Sequence, residues 1–206
     1  VDRRIRKIDD QRSGESPVSK EPFGDQRASQ INDWMIRYEE RRAPALGERL
    51  NTFPPRANGG NMDNPFFTVG TTVFFPIFAE GALFSIGDAH AVQGKGEISG
   101  TGLETPMRTV FRLEVIKTDR PLPEPQYETD ELYATTGFGL TIDEAARKAT
   151  RYMVDHVMEV YGYSEADAFI LCSLACDLEI AEVVDKPHML VAMHLRKDIF
   201  ADVTGE

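Results

Sequence analysis

The chain has 206 residues, of which 41% are hydrophobic, and its formal net charge is −11. This length and composition can supply the buried core of one large domain or two small ones. No stretch approaches the roughly 18 consecutive apolar residues of a membrane helix, and the charged N-terminal segment lacks the apolar core of a signal peptide. We therefore expect a soluble, cytoplasmic protein without a membrane partner.

The negative charge is concentrated after residue 50. Residues 1–50 hold 11 Lys and Arg against 10 Asp and Glu, whereas residues 51–206 hold 12 against 24. An acidic body repels phosphate backbones, so nucleic acid is excluded as an expected partner. Its carboxylates are available for cation binding.

Residues 1–50 form a polar arm in this interpretation. Most of the segment is too polar and charged to order itself by burying apolar surface. The stripe Ile31, Trp34, Met35 and Tyr38 has helical spacing and predicts a short amphipathic helix. We expect the arm to wrap a partner, with the stripe covering apolar surface.

Residues 51–120 are predicted to be rich in β-structure. The run 71–78 is β-branched and aromatic, with a proline that favours an edge or a bulge. Three further strands are predicted at Phe84–Ala89, Gly96–Thr101 and Thr109–Lys117, because apolar residues cluster there between glycines. An antiparallel sandwich or barrel-like sheet is the expected arrangement.

Residues 121–206 are predicted to form an α+β region with two helices, giving the chain an α+β fold class. The first helix spans about 141–161 and starts at a capping pattern, in which Thr141 precedes Glu144 by three residues. A second, nearly all-apolar helix is predicted over about 164–180. The last strand is predicted at His188–Leu195.

The two cysteines and one histidine are interpreted as core residues. Cys172 and Cys176 are four residues apart in the predicted second helix, where a disulfide would be strained. We expect small core side chains in a reducing compartment, with a metal-binding pair as the minor alternative. His156 follows the apolar stripe of the first helix and is expected at the edge of the core.

A glycine-rich loop carries the first candidate site. Five glycines lie between residues 87 and 102, and they allow the backbone to approach a ligand closely. Asp88 and His90 are two residues apart and would point to one face of an extended segment. A carboxylate with an imidazole suits zinc or a similar divalent ion, which can activate water. In the alternative, Asp88 closes an Asx turn and His90 is its hydrogen-bonded partner.

Polar residues on both sides of this loop could complete a site for amide hydrolysis. Glu97 or Glu104 could accept a proton from water and return it to the leaving nitrogen, although a solvated strand residue and a turn acceptor explain them equally well. Asn61 and Asp63, in a second glycine-containing loop, could orient an amide substrate or simply form that loop. Arg56 could bind a product carboxylate or cap the loop.

Three ordered motifs together resemble the acetamidase/formamidase family: FPPRANGGNMD, GALFSIGDAHAVQGKGEISGTGLETP and ILCSLACDLEIAEVVDKPHMLVAMHLRKDIF. The resemblance runs from about Phe53 to Phe200. It implies hydrolysis of short amides such as formamide or acetamide, a β-rich fold with an α+β subdomain, and an oligomer. It also implies a bound divalent metal, for which we expect zinc, with calcium or another divalent ion as alternatives.

The resemblance also supplies the residues of the expected site. Within that set we assign Asp88 and His90 to the metal, Glu104 or Glu97 to acid/base catalysis, and the remaining polar residues to the substrate. The matching positions are Asn61, Asp63, Asp88, His90, Gln93, Glu97 and Glu104, to which we add Arg56 as a substrate-binding residue.

The chain differs from the family in one respect. Members of the family are longer, and nothing before Asn51 resembles their N-terminal β-rich region. We therefore hypothesise a C-terminal subunit of a split or processed amidase, with a second polypeptide supplying the N-terminal half of the fold. A non-catalytic partner subunit and a small-ligand binding module on the same fold are the alternatives.

Overall fold

The structure, a computed structural model, describes residues 52–200. Their central element is a five-stranded antiparallel sheet with strand order β1-β2-β3-β5-β4. The predicted helix around Trp34 lies outside the described residues. The strands are β1 (Thr72–Phe74), β2 (Gln126–Glu128), β3 (Leu132–Gly139), β4 (Cys176–Glu182) and β5 (Met189–Arg196), and the helices are α1 (Ile142–Tyr161), α2 (Glu165–Ala175) and a 3-10 turn at Lys197–Phe200.

Helix α1 begins and ends where the sequence predicts. The Thr141 hydroxyl accepts a hydrogen bond from the backbone N–H of Glu144 at 3.1 Å, which satisfies one of the free donors of the first turn. At the other end Gly162 adopts a left-handed conformation, φ 73°, and its N–H donates to the carbonyl of Met158. These two caps confirm the prediction of a helix over residues 141–161.

The helices pack on one face of the sheet. Met153 and Val157 of α1 are fully buried against Met193 and Leu195 of β5. The close approach requires glycine in β3, because a Cβ atom on Gly137 would lie 2.2 Å from a backbone oxygen of α1. Helix and sheet backbones are therefore in direct contact at this point.

The loop that follows Asn61 packs on the opposite face of the sheet. Met62 is buried with Phe138 and Leu190. Beside them, the Tyr127 hydroxyl is hydrogen-bonded to Nε2 of His194 at 2.6 Å. This second core fixes the loop on the sheet, and with it the residue that follows Met62, Asp63.

The second helix is shorter than the sequence predicts. Helix α2 ends at Ala175, and Cys176 starts strand β4. The residues after Cys176 alternate in polarity with period two, and their backbone pairs with β5 along its length. Pairing with a neighbouring strand therefore overrides the helical pattern from residue 176 onward.

Most of the strands predicted in residues 51–120 are also corrected. Of the run 71–78 only β1 is regular, and Phe84–Ala89, Gly96–Thr101 and Thr109–Lys117 contain isolated bridges at most. A β-compatible sequence becomes a strand only when another strand pairs with it, and among the described residues these segments pair with a strand only at Gly96, which bridges to Glu182 at the end of β4. Their apolar side chains are exposed, Val110 by 91%. The α+β class is confirmed, but residues 52–200 form one covered sheet and not a sandwich or barrel.

The residues interpreted as core residues lie at the core. Cys172 is buried, Cys176 is half-buried, and neither forms a disulfide. His156 is half-buried and stacks on Tyr133, with ring centroids 3.7 Å apart. In residues 52–200, neither helix combines the length and the apolarity needed to cross a membrane.

Candidate active site

The candidate site is built around His90, which lies on one arm of a short ladder. The N–H of Ala91 donates to the carbonyl of Leu103 at 2.8 Å, and the N–H of Thr105 donates to the carbonyl of Ala89 at 3.0 Å. These bonds place His90 opposite Glu104. Two residues that are 14 positions apart in the sequence thus face each other.

Gly102 makes room for the imidazole ring. A Cβ atom at this position would lie 2.7 Å from Nδ1 of His90 and 3.1 Å from the carbonyl oxygen of Val92. Both distances are shorter than ordinary van der Waals contact. The glycine is therefore required by the position of the histidine ring and not by a turn.

Both ring nitrogens of His90 face acceptor groups. Nε2 is 2.9 Å from Oε1 of Glu104 and 3.7 Å from Oδ1 of Asp88. Nδ1 is 3.0 Å from Oε1 of Gln93 and 3.8 Å from Oε1 of Glu97. The structure thus brings together five of the residues that the sequence singles out.

Gln93 sets the orientation of the ring. Its amide nitrogen donates to the backbone carbonyl of Asp63 at 2.5 Å, so its amide oxygen is the atom that faces Nδ1 of His90. Nδ1 therefore carries a proton, and Nε2 is presented to the carboxylates. Burial lowers the pKa of His90, but the hydrogen bond to Gln93 and the nearby carboxylates outweigh it and raise that pKa above its ordinary value.

Glu97 is the buried acid of the predicted set. Its neighbour Gly96 is bonded to the end of β4 on both sides, through the carbonyl of Ala181 at 2.9 Å and the N–H of Val183 at 3.1 Å. Glu97 itself has a left-handed backbone, φ 43°, and its side chain is only 4% exposed. Burial, followed by repulsion from Asp63, raises its pKa to about 7.

Two acids that the sequence interpretation missed join this cluster from the end of β4. A β-bulge shifts the register between Ile180 and Glu182, so that Glu182 pairs with Leu190 and faces the side of the sheet where Met62 packs. Asp185 follows three residues later, and its N–H donates to Oε1 of Glu182 at 3.2 Å. Both side chains belong to the third motif, as charges within an apolar stretch.

Burial dominates the electrostatics of these two acids. Glu182 is fully buried and Asp185 is 3% exposed. Burial, with repulsion from Asp63, raises the pKa of Glu182 to about 9. Burial, together with a hydrogen bond to Asp63 and the charge of Glu182, raises the pKa of Asp185 to about 10. Burial therefore favours the neutral form of both carboxyl groups.

The cluster fits a divalent ion by its donor chemistry. Asp63, Asp88 and His90 each offer one ligand atom, and these atoms all lie within 4.8 Å of one another. Two ligand atoms on one tetrahedral zinc ion are roughly 3.3 Å apart, because each bond is about 2.0–2.1 Å. The separations of 2.9 Å and 3.7 Å between Nε2 and the oxygens of Glu104 and Asp88 bracket this value.

Asn61 and Arg56 have different positions relative to the cluster. Asn61 is adjacent to it, because its amide nitrogen donates to Oδ2 of Asp185 at 2.5 Å. The Arg56 backbone forms a tight turn with Gly59. Arg56 lines a separate cavity of about 280 Å³ together with His188, and none of the clustered acids lines that cavity.

Comparison with known proteins decides the family. The model of the Acetamidase/Formamidase family matches residues 26–202. The chain belongs to this family. Three similar proteins from the family illustrate the extent of the similarity. An acetamidase from Mycolicibacterium smegmatis is 55% identical over 51 residues, which are 25% of this chain and 13% of that protein. A formamidase from Methylophilus methylotrophus is 28% identical over 182 residues, which cover 76% of this chain and 43% of that protein. The crystal structure of a predicted acetamidase/formamidase from Thermoanaerobacter tengcongensis is 31% identical with a TM-score of 0.69, and the match covers 76% of this chain and 52% of that one.

The acetamidase/formamidase relatives are longer than this chain. The chain spans less than half of the length of the M. methylotrophus formamidase and about half of the T. tengcongensis protein. The TM-score shows that the described fold is that of the family. The cluster around His90 thus lies on a family fold of which this chain carries one part.

Proposed function

We propose that the cluster around His90 hydrolyses small linear amides, such as formamide or acetamide, to a carboxylate and ammonia. One observation carries the proposal: an imidazole and carboxylates from separate chain segments converge in one place. The names of the relatives, acetamidase and formamidase, indicate the substrate class. Amide hydrolysis requires a polarised carbonyl, a proton acceptor and a proton donor to nitrogen, and the cluster contains groups suited to each task.

Asp88 and His90 would hold a divalent ion, with Asp63 as the third ligand. This set of one nitrogen and two carboxylate oxygens favours zinc among the common ions, with calcium or another divalent ion as alternatives. When bound, the ion supplies Lewis acidity that stabilises negative charge on the amide oxygen. Gln93 keeps the proton of His90 on Nδ1, so that Nε2 is the atom available to the ion.

Glu97 is the acid/base residue in this proposal. It is buried and lies 3.8 Å from the ring of His90, and in the metal-free site burial raises its pKa to about 7, which suits proton transfer. It would take a proton from the attacking water and deliver it to the leaving nitrogen. Glu104 is the alternative acid/base residue: it lies 2.9 Å from Nε2 of His90, on the side where the ion would bind, and it accepts a hydrogen bond from Thr101 at 3.0 Å.

Asn61 would orient the substrate. Its amide nitrogen donates to Asp185, which leaves its amide oxygen available as an acceptor for an N–H of a primary amide. An orienting acceptor of this kind distinguishes an amide from an ester of the same size. We assign no role in the reaction to Arg56, because its cavity is separate from the cluster.

We propose that a second polypeptide completes the fold, within an oligomeric enzyme. The support is the exposed apolar surface of residues 77–116, where Phe78 is 69% exposed, Ile98 83% and Val110 91%. A monomeric protein rarely leaves so many apolar side chains in water. The remaining half of the family fold is a partner of suitable size and chemistry, and it would supply the strand neighbours that these segments lack.

Ammonia release from formamide and acetamide tests the function. We expect the purified native assembly to release ammonia, to lose this activity after chelation and to regain it with zinc. His90→Ala and Glu97→Gln should both remove the activity, and Glu97→Gln should retain the metal. Lys95→Gln is the matched control in the same loop, because Lys95 pairs with Glu179 on the surface. A native assembly that releases no ammonia from either amide and holds no metal would contradict the proposal and favour a non-catalytic subunit.

A further inference from the structure

The two cysteines of the chain meet at the junction between α2 and β4. Cys172 lies in the last turn of α2, and Cys176 is the first residue of β4. Both are free thiols, and both pack in the same hydrophobic cluster between the helices and the sheet. The reaction proposed for the cluster around His90 uses neither sulfur.

The backbone places the two Cα atoms within the range of a disulfide. The N–H of Cys176 donates to the carbonyl of Cys172, as in a helical turn, and Cα atoms four residues apart in a helix are separated by about 6 Å. Disulfides commonly span about 4.4–6.8 Å between Cα atoms. Cys176 itself has extended backbone angles, φ −105° and ψ 147°. It therefore lies outside the regular helix from which the sequence predicts a strained disulfide.

The two thiols differ in their readiness to ionise. They are hydrogen-bonded to each other, and this bond lowers the pKa of Cys172. The same bond, followed by burial, raises the pKa of Cys176. A redox-active cysteine pair needs this asymmetry, because one sulfur attacks the oxidant as a thiolate and the second, still protonated, resolves the product. Cys176 is half-buried, so a molecule as small as hydrogen peroxide can reach the pair.

We propose that Cys172 and Cys176 form a reversible disulfide when the protein meets a small hydroperoxide. The Cys172 thiolate attacks one oxygen of hydrogen peroxide and breaks the O–O bond, which yields a sulfenic acid and hydroxide. The hydroxide takes up the proton that Cys172 released and becomes water. The Cys176 sulfur then attacks the sulfenic sulfur, so that the S–S bond forms and the sulfenic hydroxyl leaves as a second water with the Cys176 proton. Two electrons pass from the sulfurs to the peroxide.

The bond is expected to be labile. Cys172 remains within α2, so part of the helical strain persists, and strained disulfides are reduced more readily than relaxed ones. The dithiol is therefore the resting form in a reducing compartment, and oxidation is a reversible event. The disulfide ties the last turn of α2 to the start of β4, the strand whose far end bonds to Gly96 in the candidate site.

Thiol titration and peptide mass spectrometry of the full chain test this pair. The chain contains only two cysteines, so titration reports on these sulfurs alone. Both thiols should disappear after the reduced protein is treated with hydrogen peroxide in slight excess, and both should return with dithiothreitol. Reduced glutathione should restore them as well, because the bond is strained. The peptide that carries both residues should have lost two hydrogen atoms.

Cys176→Ser is the matched variant, because a hydroxyl replaces the resolving thiol at nearly the same size. We expect its oxidation to stop at the Cys172 sulfenic acid, which dimedone traps, whereas dimedone should label little of the wild type. A wild-type chain that keeps both thiols after peroxide, or gains oxygen on either cysteine without losing two hydrogen atoms, would overturn the inference. Disulfides that link only separate chains would overturn it too. None of these results depends on ammonia release, so the proposed amidase function is tested separately.

Discussion

Replacing Gly102 with alanine should strongly impair the site through a single methyl group. The added Cβ atom would lie 2.7 Å from Nδ1 and 2.8 Å from Cγ of His90. Ordinary contact begins near 3.4 Å, so the ring must move by about 0.7 Å. The backbone oxygen of Val92, 3.1 Å from the same Cβ, leaves the methyl group little room to turn away.

Movement of the ring would disturb every contact that fixes it. The 3.0 Å contact with Gln93 and the 2.9 Å contact with Glu104 cannot both be kept after a displacement of this size. A misplacement of about 1 Å at a catalytic group can cost about 100-fold in rate. We therefore expect Gly102→Ala to lower kcat/KM for formamide by about 100-fold and to weaken zinc binding.

The assay compares Gly102→Ala with Gly94→Ala in the native assembly. Gly94 lies in the same loop, and a Cβ atom there would meet nothing within 4 Å. Ammonia release, zinc content and thermal unfolding should be measured for both variants. We expect Gly94→Ala to resemble wild type in all three. Equal activity and zinc content in the two alanine variants would refute the reasoning, because His90 would then not depend on the space beside Gly102.

Three further predictions concern stability and are measured by urea unfolding of the full chain. Burial lowers the pKa of His156 from 6.5 to about 4, so between these pH values the unfolded chain binds a proton that the folded chain does not, and stability falls as the pH drops from 6.5 to 4. Over this range the wild type should lose up to about 3 kcal/mol of unfolding free energy relative to His156→Phe. Parallel pH profiles of the two proteins would contradict this prediction. Thr141→Ala removes the cap bonded to the N–H of Glu144 and should cost about 1 kcal/mol, whereas Thr141→Ser should cost less; equal losses would contradict a capping role. Gly137→Ala places a Cβ atom against the α1 backbone and should cost more than about 3 kcal/mol of stability or prevent folding. The control Gly162→Asn, at the end of the helix, should not have this effect. A fully stable Gly137→Ala would show that helix and sheet can move apart without loss of stability.

Local signals predict the last two-fifths of the fold well. Helix α1 follows from the Thr141 cap, the apolar stripe and the stop at Gly162. The last strand, predicted at His188–Leu195, is observed at Met189–Arg196. These features depend on residues that are close together in the sequence, so local sequence patterns are enough to predict them.

Features that depend on distant partners are predicted less well. The end of α2 and the start of β4 at Cys176 are decided by pairing with β5, which follows later in the chain. The segments Phe84–Ala89 and Thr109–Lys117 have strand-like composition but no neighbouring strand within residues 52–200. The composition of a segment shows that it could form a β-strand, but it becomes a strand only if another strand pairs with it.

The same distinction applies to the site. The grouping of Asp88, His90, Glu97 and Glu104 could be predicted, because all four lie within one glycine-rich stretch. Glu182 could not be placed in the cluster from the sequence, because its direction depends on a β-bulge and its position on a ladder with Gly96. The signal that could have identified it is an ionisable residue within an otherwise apolar stretch.

The most direct test of the proposed amidase function is the release of ammonia from formamide by the native assembly before and after removal of metal. We predict activity that chelation abolishes and zinc restores, together with no activity in His90→Ala at any zinc concentration. Unchanged ammonia release by the chelated wild type, or full activity in folded His90→Ala, would contradict a site organised around His90 and a divalent ion.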